Sequence, residues 1–383
     1  MRVAVIVKSL QMGGMERAAI NLAETFANEG HQSHLIYFKK KRQLLSPNEN
    51  VHVHLFNLEK SLKYTVLGAI LYFFAKIING ILRHSFFYFQ GFLLTPFFRN
   101  KLQKIEDEYG KFDLIIIRGQ GTFEMIWPFN DKRLIIQQVN VLNDHKVLLK
   151  MFFRKTIFSN KNIVCNAPSV LKELKTDFIN SKVNPLSLNM IPSPINLRTV
   201  TERANEYEPD FNKKYIVNVG RLVSVKNITL LIDAFYYARK NLDLKHHLVI
   251  IGDGNLRTSL EEQAKKLNIE NYIYFTGIIK NPYPWLKKAD MFAFTSKNEG
   301  LPNVLLESLA CHTTIASTKG RGGTLDIMSG DLKNNLTNFN AKEFAIKIVN
   351  ILKQSDEPDY NKHLKKYSPP SVVEEYIKYI KKV

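Results

Sequence analysis

Two carboxylates, Glu299 and Glu307, stand seven residues apart in the run Glu299-Gly300-Leu301-Pro302-Asn303-Val304-Leu305-Leu306-Glu307. A carboxylate accepts hydrogen bonds from vicinal hydroxyls of a sugar or ribose, and Gly300, lacking a side chain, lets the backbone approach them. Pro302 at a first helical turn puts Glu299 in the loop after the apolar run 291–295 and Glu307 inside a helix. Taken singly, Glu307 also reads as a solvated helix residue. Upstream, Gly220-Arg221-Leu222 follows the strand-like run 215–219, and Lys226 precedes a segment whose Ile228, Leu231, Ile232 and Phe235 have helical spacing. Amide N–H groups and two cations at one helix N-terminus suit a phosphate, because Arg grips two oxygens at once and the helix dipole favours an anion. The same cations also read as a solvated loop. Gly252-Asp253-Gly254 makes a tight turn between strand and helix but lacks the third glycine of a dinucleotide fingerprint, which argues against a nicotinamide-dependent reductase. Gly13-Gly14-Met15-Glu16-Arg17, between the first strand and first helix, either lets phosphate or acceptor come close or makes a sharp turn.

These residues need a scaffold that gathers loops. A chain of 383 residues exceeds one ordinary hydrophobic core, so two domains are expected. In the C-terminal half, apolar runs at 215–219, 247–251 and 291–295 alternate with amphipathic stretches at 228–239, 256–267 and 302–311. The N-terminal half repeats the alternation at 2–7, 33–38, 112–117, 134–137 and 162–164. Strands apolar on both faces with helices between them predict a parallel, doubly wound α/β sheet in each half. Ile191-Pro192-Ser193-Pro194 and the polar stretch 199–212 mark a linker. The expected division is an N-terminal domain 1–198, a C-terminal domain 199–367, and a final helix 368–383 packing back on the N-domain.

A formal charge of +19 favours anionic partners. Between Glu59 and Glu106 there is no carboxylate, yet Lys60, Lys63, Lys76, Arg83, Arg99, Lys101 and Lys104 lie there among Leu, Ile, Phe and Tyr. Lys76 and Arg83 interrupt every window approaching the roughly 20 apolar residues of a spanning helix. Lys146, Lys150 and Arg154 recur at helical spacing beside Met151, Phe152 and Phe153. Both segments fit contact with an anionic membrane surface, against the alternative of core aromatics with a solvated cationic rim. Cys165 and Cys311 lack metal-ligand spacing, and no signal-peptide pattern precedes the first strand, so a cytoplasmic location is expected, peripheral on the inner-membrane face.

The ordered combination of Gly13-Gly14-Met15-Glu16, Val219-Gly220-Arg221-Leu222 with Lys226, Ile251-Gly252-Asp253-Gly254, Phe275-Thr276-Gly277 and the two-glutamate run resembles the family-4 retaining glycosyltransferases of GT-B fold. The resemblance implies two Rossmann-like doubly wound domains facing a central cleft. It implies that Arg221 and Lys226 hold a donor diphosphate, Glu299 touches the transferred sugar and Glu307 holds the ribose. Phe275, Thr276, Gly277 and Ile278 would pass beside the base. Gly13, Gly14, Gly220, Gly254, Gly300, Leu301, Pro302 and Asn303 would complete the donor site, with Glu16 and Asn140 on the acceptor side. Many relatives carry a histidine, often in a His-Asn pair, after the strand matching 134–137; here Gln138-Val139-Asn140 stands there, and His145 reads as an ordinary helix residue.

The activity so implied is transfer of a hexose or N-acetylhexosamine from a nucleotide-diphosphate sugar, with retention, without metal or other cofactor. The acceptor would be a glycan, lipid-linked as in lipopolysaccharide, capsule or O-antigen assembly. Fixed cations would stabilise the leaving diphosphate, and the resemblance implies that the leaving phosphate itself helps deprotonate the acceptor, so the glutamates are not expected to be the acid and base of a glycosidase. The alternatives are a non-catalytic nucleotide-sugar-binding protein and a basic nucleic-acid-binding protein. No nucleic-acid module is recognisable in the chain, which disfavours the last.

Overall fold

The computed structural model describes residues 1–10, 14–40, 46–81, 85–119, 121–138, 148–354 and 358–382, with backbone alone at 148–150 and 153. Gly13, Arg83, Val139, Asn140, His145 and Lys146 therefore lie outside the described residues, as do the side chains of Lys150 and Phe153. The chain divides into two units, Met1–Pro194 with Pro369–Val383, and Ile195–Ser368.

Seven parallel strands build the N-terminal unit: β1 (Arg2–Val7), β2 (Gln32–Tyr37), β3 (Val51–Leu55), β4 (Leu114–Arg118), β5 (Leu134–Gln138), β6 (Asn162–Cys165) and β7 (Ser187–Met190). Their order is β3-β2-β1-β4-β5-β6-β7. The central strands are buried along Val3–Val7, Leu114–Ile117 and Leu134–Ile136, which explains those apolar runs. Strands β3 and β7 escape a search for such runs because they are edge strands with exposed positions. On β2 and β3, His52 and His54 each stack against His34; His34 Nδ1 and His54 Nε2 are 3.0 Å apart.

The C-terminal unit holds β8 (Tyr215–Val219), β9 (His247–Ile251), β10 (Ile273–Gly277), β11 (Met291–Phe294), β12 (Asn298–Glu299), β13 (Ile315–Thr318), β14 (Arg321–Gly322) and β15 (Leu336–Thr337). Six form a parallel sheet in the order β10-β9-β8-β11-β13-β15, while β12 and β14 pair separately. Helices Ile228–Asn241 and Ala341–Lys353 bury Leu231, Ile232, Phe235, Phe344 and Ile348 in the core of this sheet.

The unit boundary falls at Pro194, four residues before the expected 198, and the polar stretch beginning at 199 is not a bare linker. Leu197–Ala204 is a helix whose cap, Asn196, accepts the Thr199 N–H through its side chain at 3.1 Å. Val200 and Ala204 are buried, and Asn281 Nδ2 donates to Arg203 O at 2.7 Å, so this segment folds with the C-terminal unit. The last helix, Pro369–Ile380, belongs to the N-terminal unit. Its Val372, Val373, Tyr376 and Tyr379 enter that core, and the Tyr376 ring lies 5.6 Å from Phe26.

Arg154 does not face outward as the helical repeat with Lys146 and Lys150 implied. It is buried and pairs with Asp177 at 2.6 Å, because a guanidinium on the inner face of helix Leu148–Phe158 needs a carboxylate partner.

Candidate functional site

In the C-terminal sheet the chain runs outward from β8 to β10, then returns to the centre and runs the other way from β11 to β15. The reversal between β8 and β11 is a topological switch point, where open α/β sheets bind ligands beyond the carboxyl ends of their strands. The loops after both strands carry the residues singled out from the sequence. Lys226 Nζ lies 2.5 Å from Glu299 Oε1, with side chains only 19% and 17% exposed. Ser296 Oγ is placed to donate to the same carboxylate oxygen at 2.6 Å. The two loops are clasped by Thr295 Oγ1 donating to Lys226 O at 3.0 Å and by Lys297 N–H donating to Val225 O at 2.8 Å. Arg221, in contrast, is exposed and has no ion-pair partner among the described residues.

Neighbouring loops are fitted to this pair through backbone contacts. Leu222 N–H donates to Asp253 O at 3.0 Å, and Gly252 N–H donates to Gly277 O at 2.8 Å. A Cβ on Gly254 would lie 2.4 Å from Leu222 O, so glycine is required by close approach of the two chains. Gly220 lies beside the Lys226 side chain, with 3.7 Å between a built Cβ and Lys226 Cε. Phe275, Thr276 and Gly277 close β10, where Arg257 donates to Phe275 O at 3.3 Å; Ile278 projects outward. The structure thus gathers Gly220, Arg221, Lys226, Gly254, Phe275, Thr276, Gly277, Ile278, Glu299 and Gly300 on the loops at one end of one sheet.

Helix Asn303–Ala310 starts one residue later than expected, with Pro302 at its cap and Leu301 buried before it. Glu307 is not a solvated helix residue: it is 8% exposed, and the Tyr283 hydroxyl donates to its Oε1 at 3.3 Å. Burial, with the charge of Glu307, pushes the nearby Cys311 thiol up to about 12, so that thiol is inert at neutral pH.

Sequence reading missed the second support of Glu299. Strand β14 pairs Gly322 with Glu299, and Gly323 N–H donates to Gly300 O at 2.7 Å. Gly322 has φ +80°, and a Cβ there would sit 1.8 Å from Glu299 O. The glycine density of Lys319-Gly320-Arg321-Gly322-Gly323 after an apolar strand was the available signal. Ser296 gave none, because an isolated serine after a strand is common.

In the N-terminal unit Gly14 opens helix Gly14–Asn28 with free space where a Cβ would stand, and Glu16 lies half-buried in its first turn. Arg118, at the carboxyl end of β4, is buried; it donates to Ala18 O at 3.0 Å and Ser193 Oγ at 3.2 Å, and burial lowers its pKa to about 10. Beside it on β5, Gln137 is buried, with neither side-chain amide atom paired among the described residues. Among the described residues no group of three or more His, Cys, Asp or Glu side chains is arranged to hold a metal ion.

The family model for glycosyl transferases group 1 matches residues 200–369. The match spans most of the C-terminal unit and less than half of the chain. Over 250 residues it is 30% identical to the N-acetylgalactosamine-N,N'-diacetylbacillosaminyl-diphospho-undecaprenol 4-α-N-acetylgalactosaminyltransferase of Campylobacter jejuni, a match covering 63% of this chain and 66% of that one, just under two thirds. Among solved structures, Anabaena HepE in complex with UDP superposes with a TM-score of 0.68 at 15% identity over the whole of both chains. A variant of S. aureus TarM in complex with UDP, α-GlcNAc-glycerol and fondaparinux superposes with a TM-score of 0.71 at 14% identity, covering 99% of this chain and 100% of that one. The fold is GT-B, two parallel-sheet α/β domains, as the motif order implied.

Proposed function

We propose that the protein is a retaining, metal-independent glycosyltransferase that moves a hexose or N-acetylhexosamine from a UDP-sugar to a lipid-linked glycan. The observation that carries this reading is the Lys226–Glu299 pair at the sheet switch point, with exposed Arg221 on the same loop as Lys226. When a nucleoside diphosphate departs, negative charge grows on its outer phosphate, and two preset cations stabilise that charge without reorganising. Glu299 accepts hydrogen bonds from the transferred sugar while Lys226 holds its carboxylate in place. The departing phosphate takes the acceptor proton from the same face, which gives retention. Glu307 serves the ribose from its buried position beside Tyr283. The UDP of the HepE complex and the diphospho-undecaprenol in the Campylobacter relative's name support the donor and acceptor classes.

The N-terminal unit supplies a surface for a lipid-borne acceptor. Helix Val66–Ile81 turns Val66, Leu67, Phe73, Phe74 and Ile81 to solvent, with Lys60, Lys63 and Lys76 exposed around them. No helix among the described residues is long and apolar enough to cross a membrane. An apolar face with a cationic rim and no carboxylate matches an anionic lipid surface, with the helix lying in the interface.

The test is thermal-shift screening against UDP-, GDP- and ADP-sugars, followed by transfer to an undecaprenyl-diphosphate-linked glycan with the anomeric configuration read by NMR. A stabilising UDP-sugar and a product of retained configuration are expected; stabilisation by none of the donors, or an inverted product, overturns the reading. For the surface, Phe73→Glu/Phe74→Glu is expected to abolish co-sedimentation with phosphatidylglycerol vesicles, and unchanged co-sedimentation would refute the docking face.

A further inference from the structure

The N-terminal unit carries a second cluster of cations, at the end of its sheet opposite the glycine-bearing loops. Ahead of β5 and β6 a cavity of about 520 Å³ is lined by Asn130, Asp131, Lys132, Arg133, Lys161 and Asn162, among others. Lys161 is buried; its ammonium donates to Phe129 O at 2.9 Å and Asn130 Oδ1 at 3.2 Å, and lies 5.8 Å from the centre of the Phe123 ring. Burial, and then the charge of Arg99, bring its pKa down to about 8.

The carboxylates of this region are committed elsewhere. Arg133 takes Asp131 at 2.6 Å and Glu106 at 2.5 Å, leaving no ion-pair partner for Lys161 among the described residues. The amides point the same way. Asn162 Oδ1 accepts from Ser187 Oγ at 2.9 Å and Asn130 Oδ1 accepts from Lys161, so the polar groups left over on both are N–H donors. The third ammonium proton of Lys161 and the exposed Lys132 add to them. A buried ammonium without a counter-charge is costly, and a pocket that presents these donors beside it offers that counter-charge a place.

We infer that this cavity is an anion site for a phosphoryl group, held by Lys161, Lys132 and the amides of Asn130 and Asn162. It lies in the N-terminal unit and does not depend on the donor reading of Lys226 and Glu299. A dianionic phosphoryl group matches the donors in number and charge, and its source is either a free phosphate or a lipid headgroup.

The experiment reads the site locally, because the donor-side cations also attract phosphate. Lysine acylation of the intact protein is followed residue by residue by mass spectrometry at fixed ionic strength, in chloride, in inorganic phosphate, and with phosphatidic acid vesicles. Protection of Lys132 and Lys161, with Lys342 unaffected, is expected. Protection in inorganic phosphate assigns a free anion, and protection only by the vesicles assigns a headgroup; protection by neither overturns the inference. Calorimetric titration in an Arg221→Ala background is the second readout. Lys132→Ala, at an exposed position that leaves the core intact, and Lys161→Gln are each expected to weaken binding of the protecting species about tenfold, the loss of roughly one charge-assisted hydrogen bond. Unchanged affinity in Lys132→Ala would also overturn it.

Discussion

Replacing Gly322 by alanine tests whether backbone geometry behind Glu299 controls transfer. The new Cβ would sit 1.8 Å from Glu299 O and 3.0 Å from Glu299 C, at φ +80°. Relieving the oxygen contact requires β12 and β14 to part by about 1 Å or more, and parting them shifts Glu299 relative to Lys226. An alanine at positive φ costs about 1 kcal/mol and the overpacking about 1–3 kcal/mol, so a stability loss of about 2–4 kcal/mol is expected. A misplacement of about 1 Å in a reacting group lowers turnover about 100-fold. Urea denaturation and initial rates with the stabilising UDP-sugar measure the two effects. Gly14→Ala is the control for stability: its Cβ meets no protein atom within 4 Å, and the urea midpoint is expected to hold. A Gly322→Ala protein within about 0.5 kcal/mol and threefold of wild type would refute the claim that the β12–β14 pairing fixes the carboxylate.

Arg221→Ala is expected to leave the urea midpoint within about 0.5 kcal/mol of wild type, since the side chain is exposed and unpaired among the described residues. It should lower kcat/KM for the UDP-sugar by about 10²–10³, the effect of removing one preset charge donor; wild-type rates would sink its assignment to the diphosphate. His34 gives a pH signature. Burial, followed by the charges of His54 and His52, lowers its pKa from 6.5 to about 3, so between those values the unfolded chain binds a proton that the folded chain refuses. Its contribution to stability is fully present above pH 6.5 and is lost toward pH 3, by up to about 1.4 kcal/mol per pH unit. His34→Asn should flatten the decline of the unfolding midpoint between pH 6.5 and 4.5. Parallel declines would refute a neutral, stacked histidine.

The alternation of buried strands and helices was readable because a strand covered on both faces must be apolar throughout, as in Val3–Val7 of β1 and Ile216–Val217 of β8. Gly254 was readable only as part of a tight turn; that glycine alone admits the Leu222 carbonyl at that distance depends on two loops meeting. The amphipathic final helix was readable as well, but the burial of Tyr376 against Phe26, 350 residues earlier in the chain, rests on a long-range meeting. Where Arg154 was placed on an outward face, local periodicity failed, because its ion pair with Asp177 lies on another helix.

Sequence alone determined which residues have chemistry to offer, since residue type sets charge, hydrogen-bonding capacity and backbone freedom. The two glutamates, Arg221, Lys226 and the loop glycines were all identifiable on those grounds. Only the tertiary structure decided their different states. Glu299 is held by Lys226, Ser296 and the β14 glycines, whereas Glu307 is buried beside Tyr283 and Arg221 stands open. Those differences depend on partners 3 to 73 residues away in sequence, brought together where the order of the parallel strands reverses. Local pattern carries no record of such meetings, because they are fixed by strand order and by which backbone atoms a neighbouring loop can approach.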